Sequence, residues 1–162
     1  MSETQERIRA IIDQIAPQFS VDPDVVEAIV WVESSGNPKA RRYEAHQDRK
    51  PDGDTPGVDD GIHEDDASYG LAQIMGYTAR KLGFKGDNFE ALYDERLSIA
   101  FCCKLLLQNL RASAMNYRFA VARYNGGPQG NPRPDGTCRN QDYVDKVFRT
   151  MEQLRKKRQK QG

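Results

Sequence analysis

The sequence predicts a mainly α-helical protein with one polar, irregular lobe inserted into it. Three observations predict this. Apolar residues recur at spacings of three and four in several separate segments, the mark of helices that bury one face. No convincing apolar–polar alternation marks a strand outside whatever the lobe holds. Residues 39–66 are rich in Gly, Pro and Asp and show no period at all. At 162 residues the chain suits a single domain, 1–162, with a core large enough to need no staples.

The first helix covers about residues 4–15, where Ile8, Ile11, Ile12 and Ile15 form a stripe and Pro17 ends it. A second starts at Asp22 and Pro23. The aspartate offers a capping oxygen, and the proline's fixed φ suits the first helical position. Gly36 and Pro38 stop it. After the polar lobe, a short helical segment is read over 70–82, closed by Gly83. Residues 94–111 make a helix so apolar (Ile99, Phe101, Cys102, Leu105, Leu106, Leu110) that it belongs at the centre of the core. Another spans 117–124 and is stopped by Gly126, Gly127 and Pro128. The last sets Val144, Val147, Phe148, Met151 and Leu154 on one face.

The second helix holds a chemical oddity. Residues 28–33 read AIVWVE, an apolar run ending in a carboxylate. Glu33 falls on the face of Val26, Ile29 and Val30, so the spacing places it on the buried stripe. Burial penalises its charged form, and the negative end of the helix dipole adds to that penalty. A glutamate starting from about 4.3 is thereby pushed toward neutrality, as a general acid requires. The same place in the last turn would also let the side chain lean past the helix end into water.

Lys plus Arg equal Asp plus Glu, 24 against 24, so no global field draws nucleic acid or a membrane. The distribution is uneven. Residues 48–66 hold most of the acidic excess, and the tail 156–162 is basic. Such a tail reads as a solvated helix end, or as a patch that holds the protein against an anionic cell surface. The N-terminus, MSETQERIRA, has no apolar signal core, and no run approaches membrane-spanning length. The expectation is a monomer made in the cytoplasm, with no membrane insertion. Cys102, Cys103 and Cys138 lack metal-type spacing and read as buried reduced thiols. Asp52, Asp54, Gly57 and Asp60 fall at calcium-loop positions, but Pro56 and His63 stand where that loop needs oxygen ligands. No metal and no cofactor are expected, and His46 and His63 read as surface residues.

Three stretches carry the chemistry: VESSGNPKA (32–40), ASYGLAQIMGYTARKLG (67–83) and ARYNGGP (122–128). Together with LYDERLSIAFCCKLL (92–106) and DYVDKV (142–147), they resemble the soluble lytic transglycosylase and goose-type lysozyme group. The match covers roughly residues 20–150 in the right order. It implies a lysozyme-like α+β fold and cleavage of the glycan strands of peptidoglycan. It also implies Glu33 as proton donor, with Ser34 beside it in the same motif. Gly70 would let the backbone approach the sugar, and Gln73 would offer donors and acceptors to N-acetyl or hydroxyl groups. Tyr124 would turn a hydroxyl toward the acid or the sugar. Asn125 reads equally as ligand contact or helix cap, and Tyr143 as cleft lining or core.

The departures from the family pattern point to candidates for a second acid. Glu64 stands where transglycosylases of this type usually carry serine, while Ser68 lies only two residues before Gly70. Asp65 and Asp66 follow Glu64, and goose-type lysozymes place an acidic residue near this point. Arg42-Tyr43-Glu44 is similar to phage-type lysins, which makes Glu44 a further candidate. Ala72 replaces the family's methionine, a loss of volume in the cleft floor. The expected reaction is cleavage of the β-1,4 bond between N-acetylmuramic acid and N-acetylglucosamine, by the transglycosylase route with Glu33 as acid and base. The alternatives are hydrolysis with a second acid, on peptidoglycan or chitin, and a glycan-binding module without activity.

Overall fold

The computed structural model describes residues 1–48, 55–130 and 132–162. Helix α1 (Glu3–Ile15) opens on a reciprocal cap, in which Gln5 N–H donates to Ser2 Oγ at 3.2 Å and Ser2 N–H donates to Gln5 Oε1 at 3.0 Å. Ile8, Ile12 and Ile15 are buried on its inner face. Helix α2 (Pro23–Ser34) starts as expected, with Asp24 N–H bound to Asp22 Oδ1 at 2.8 Å. Ser35 and Gly36 end it in left-handed conformations, φ 52° and 78°. Gly36 has a second reason to be glycine, because a Cβ there would lie 2.5 Å from the Trp31 ring.

Three short strands follow: β1 (Arg41–Tyr43), β2 (Ala67–Tyr69) and β3 (Ile74–Met75). They form one antiparallel sheet in the order β1-β2-β3, with Arg42 opposite Ser68 and Ser68 opposite Met75. This corrects the helix expected over 70–82. Helix α3 (Gly76–Lys81) occupies only its second half. The reason is local backbone conformation. Gly70 at φ 77° and Gln73 at φ 49° are left-handed, and the turn they make joins β2 to β3. The turn is nonetheless buried, so Leu71, Ala72 and Ile74 mimic a helical stripe. Its backbone finds a partner in the core, where Ala72 N–H donates to Ser98 Oγ at 3.1 Å.

Ser98 belongs to α4 (Glu95–Arg111), whose Ile99, Cys102, Cys103, Leu106 and Leu110 are fully buried. Asp94 caps it through Leu97 N–H at 2.8 Å. Helix α5 (Tyr117–Gly126) and the long α6 (Gln141–Gln159) close the body, with Val144, Val147, Met151 and Leu154 of α6 buried. All three cysteines are buried free thiols. Among the described residues no helix is long and apolar enough to cross a membrane.

The basic tail departs from expectation. Helix α6 continues to Gln159, and two arginines at its end turn inward. Arg158 pairs with the fully buried Glu27 and lies 2.8 Å from Asp24. Arg155 also pairs with Asp24, and Arg9 of α1 reaches Asp24 at 2.6 Å and Glu27 at 2.8 Å. These charged side chains tie α1, α2 and α6 together, leaving Lys156, Lys157 and Lys160 as the exposed part of the tail. Among the described residues six helices, the apolar α4 one of them, and a small sheet make a mainly α, lysozyme-like α+β fold.

Candidate active site

Glu33 sits half-buried in the last turn of α2. Its Oε1 accepts the Tyr143 hydroxyl at 2.6 Å, a contact between residues 110 positions apart. Burial raises the Glu33 pKa above the ordinary carboxylate value; the Tyr143 hydrogen bond and the cations Arg42 and Lys146 pull against that rise. The phenols around it respond in kind. Burial lifts both Tyr143 and Tyr124 well above the usual tyrosine range, and the Glu33 charge adds to each.

Strand side chains alternate, so Arg42 and Glu44 share one face of β1 while Arg41 and Tyr43 share the other. Arg42, largely exposed, acts electrostatically on Glu33. Glu44 N–H donates to the Asp66 carbonyl at 3.0 Å, which continues the ladder one step beyond β1. Glu44 Oε1 lies 2.6 Å from Arg42 Nε and half-buried, with His46 3.6 Å away on the other carboxylate oxygen.

The acidic run 64–66 is buried, although a run of charge ordinarily lies in water. Glu64, Asp65 and Asp66 are 1%, 6% and 6% exposed. Glu64 Oε1 accepts Asp60 N–H at 2.8 Å, and its charge is felt by Tyr43 and Tyr69, which the alternation places on the far face of the sheet. Asp65 is held by Arg80 at 3.1 Å. Glu64 thus anchors the loop through the Asp60 amide and is shielded from solvent. The lobe folds onto itself, and the carboxylate satisfies a backbone amide there.

Five other candidate residues have structural partners. A Cβ on Gly70 would meet the Leu92 carbonyl oxygen at 2.1 Å, so this glycine serves close packing in the interior. Gln73 donates to the carbonyls of Ala40 (3.0 Å) and Gly70 (2.9 Å) and accepts from Ser68 Oγ (2.9 Å), which staples the hairpin turn to the chain before β1. Tyr124 donates its hydroxyl to the Ala72 carbonyl at 2.7 Å, not to Glu33. Ser34 Oγ donates to Val30 O at 3.1 Å within its own helix. Asn125 is exposed and accepts from Asn140 Nδ2 at 3.1 Å.

Sequence reasoning missed Lys146 and Asn140, and it named Arg42 only within a motif, without a part at Glu33. A signal existed only for Arg42, whose place one residue from Tyr43 fits strand alternation. Asp52 and Asp54 of the calcium-like spacing lie outside the described residues. Among those described, no group of three or more His, Cys, Asp or Glu is arranged to hold a metal.

A half-buried carboxyl held by a tyrosine at the end of α2, in a mainly helical body with one small sheet, has the make-up of a lysozyme-like protein. Residues 10–143 match the family described as the transglycosylase SLT domain, and the chain belongs to it. The protein is accordingly a peptidoglycan-degrading enzyme of the transglycosylase and lysozyme kind.

Proposed function

We propose that the protein cuts the β-1,4 bond between N-acetylmuramic acid and N-acetylglucosamine as a lytic transglycosylase, with Glu33 as both acid and base. The observation that carries this is the state of Glu33: raised in pKa by burial, and oriented by Tyr143. Protonated, it gives its proton to the glycosidic oxygen as the bond to the anomeric carbon breaks. As a carboxylate it then takes the proton of the muramic 6-hydroxyl, whose oxygen closes on the anomeric carbon. One proton leaves and one returns, no water is consumed, and a 1,6-anhydro end results. Proximity favours this internal nucleophile over solvent. Released to act on the wall, the enzyme would behave as a lysin.

Hydrolysis is kept as a second reading because of Glu44, which pairs with Arg42, a cation that acts on Glu33. A base there would activate water across the sugar. Mass spectrometry of released muropeptides separates the two, since hydrolysis adds one water to the product. Anhydro products are expected. Reducing ends that disappear in Glu44→Gln would overturn the transglycosylase route and name the base.

The hydrogen bond from Tyr143 favours the charged form of Glu33, so its loss raises the acid's pKa further. In Tyr143→Phe the alkaline limb of the kcat/KM profile should move to higher pH by about 1–2 units, the equivalent of one hydrogen bond to a charged group. A limb that stays in place would show that the phenol only packs against the acid.

A further inference from the structure

Helix α6 sorts its cations into two sets. Arg155 and Arg158 turn inward and pair with Asp24 and Glu27. Lys146, Arg149, Lys156, Lys157 and Lys160 are exposed, and none of the five makes an ion pair or a side-chain hydrogen bond among the described residues. Helical geometry puts them on the side opposite the buried Val144, Val147, Met151 and Leu154. The stripe they form is about 21 Å long at a rise of about 1.5 Å per residue. Between Lys146 and Lys160 one carboxylate, Glu152, is exposed beside it, and the other exposed side chains are Gln153 and Gln159. Asp142 and Asp145 lie before its first cation.

Helix stability does not account for this stripe. Cations in the last turn suit the negative end of the helix dipole, which covers Lys156 and Lys157. Lys146 and Arg149 stand in the first half of α6, beyond the reach of that effect. Lys146 and Arg149 are three residues apart, and Lys156 and Lys160 four, spacings at which like charges repel. A bound polyanion relieves that repulsion. The shape of the stripe narrows the choice of partner. It is one helix wide and holds no apolar side chain that could enter a bilayer. A linear chain with a negative charge in every repeat can follow it from end to end. Its position narrows the choice further. Tyr143, whose hydroxyl meets Glu33 at 2.6 Å, stands one turn before Lys146 on the same helix. A polymer on the stripe therefore ends beside the residues that work on the wall.

We propose that the outer stripe of α6 is a docking surface for a linear phosphodiester polymer of the cell wall, which holds the enzyme there while the active site works on the glycan. It is a second contact with the wall, separate from the one at Glu33 and independent of the route by which that acid works. Because the cations face solvent, the contact weakens as salt rises.

Binding and cleavage are measured separately. The full chain, and a variant carrying Arg149→Gln, Lys156→Gln and Lys160→Gln, are titrated with purified poly(glycerol phosphate), with double-stranded DNA and with vesicles of anionic phospholipid. Lys146 stays in place because its charge acts on Glu33. The three substituted side chains are exposed and unpaired, so the variant keeps the fold. For wild type, log K for the polymer should fall against log salt with a slope of about −3 to −4. The variant should lose about two units of that slope and bind about a hundredfold more weakly at about 50 mM salt. No binding of the polymer by wild type, or equal slopes in the two proteins, overturns the proposal. DNA or vesicles bound more tightly than the polymer also overturn it, by naming a different partner. Wall clearing reads the same surface in place. Wild type should clear walls that carry the polymer several-fold faster than walls stripped of it, and the variant should clear both at the stripped-wall rate. A variant that keeps the wild-type preference overturns the proposal. If neither protein clears either wall, the catalytic reading fails, and the polymer titration alone decides the docking surface.

Discussion

Glu33→Gln should keep the fold and lose wall-clearing activity by about 10²–10⁴, the usual contribution of a positioned general acid. The amide fills the same space and still accepts the Tyr143 hydroxyl, but it has no proton of useful acidity to give. Stability should move the other way. The folded pKa of Glu33 is raised above its ordinary value, so the acid favours the folded state only while protonated. That contribution is complete below the unfolded pKa and is lost as pH rises through the folded one. At neutral pH the buried carboxylate is a cost that the neutral amide removes. The variant should therefore melt higher than wild type at pH 7 and level with it at acidic pH. Turbidity assays on purified walls and melting curves at both pH values check the pair. A folded variant with activity within about tenfold of wild type would exclude Glu33 as the acid.

Glu27→Ala should be the most destabilising single change, at about 3–5 kcal/mol, the usual loss when one member of a buried ion pair is removed. Glu27 is fully buried and meets Arg9 at 2.8 Å and Arg158. Those arginines are only 17% and 23% exposed, so without the carboxylate they hold charge in a poorly hydrated place. The effect reaches the active site through the helices involved. Glu27 shares α2 with Glu33, and Arg158 shares α6 with Tyr143, so loosening this network loosens the pair that makes the 2.6 Å contact. Urea unfolding of wild type and variant measures the loss. A change below about 1 kcal/mol would place the network with ordinary surface ion pairs, and the docking of α6 would then rest on its apolar stripe alone.

The parts of the molecule legible in the sequence are those set within a few residues. The cap at Asp22 and the stripe through α4 follow from spacings of two to four positions, and the structure shows both where the sequence places them. Glu33 was legible for the same reason, because the face of a helix on which a residue falls is fixed by helical geometry alone. The turn at 70–73 shows the limit of such reading. Its buried Leu71, Ala72 and Ile74 carry a helical spacing, but two left-handed residues and the Ser98 hydroxyl of a distant helix make it a hairpin.

What only the tertiary structure decided is which polar group meets which. Nothing near Glu33 in the chain points to Tyr143, and nothing near Glu64 says that its carboxylate accepts the Asp60 amide. Arg158 likewise reads as part of a solvated basic end until α6 is laid against α2. A polar side chain must find partners once it leaves water, and those partners come from whatever the packed helices and sheet bring within about 3 Å. Local periodicity determined that this chain makes helices and buries an acid. The long-range packing of those helices determined which hydroxyl holds that acid.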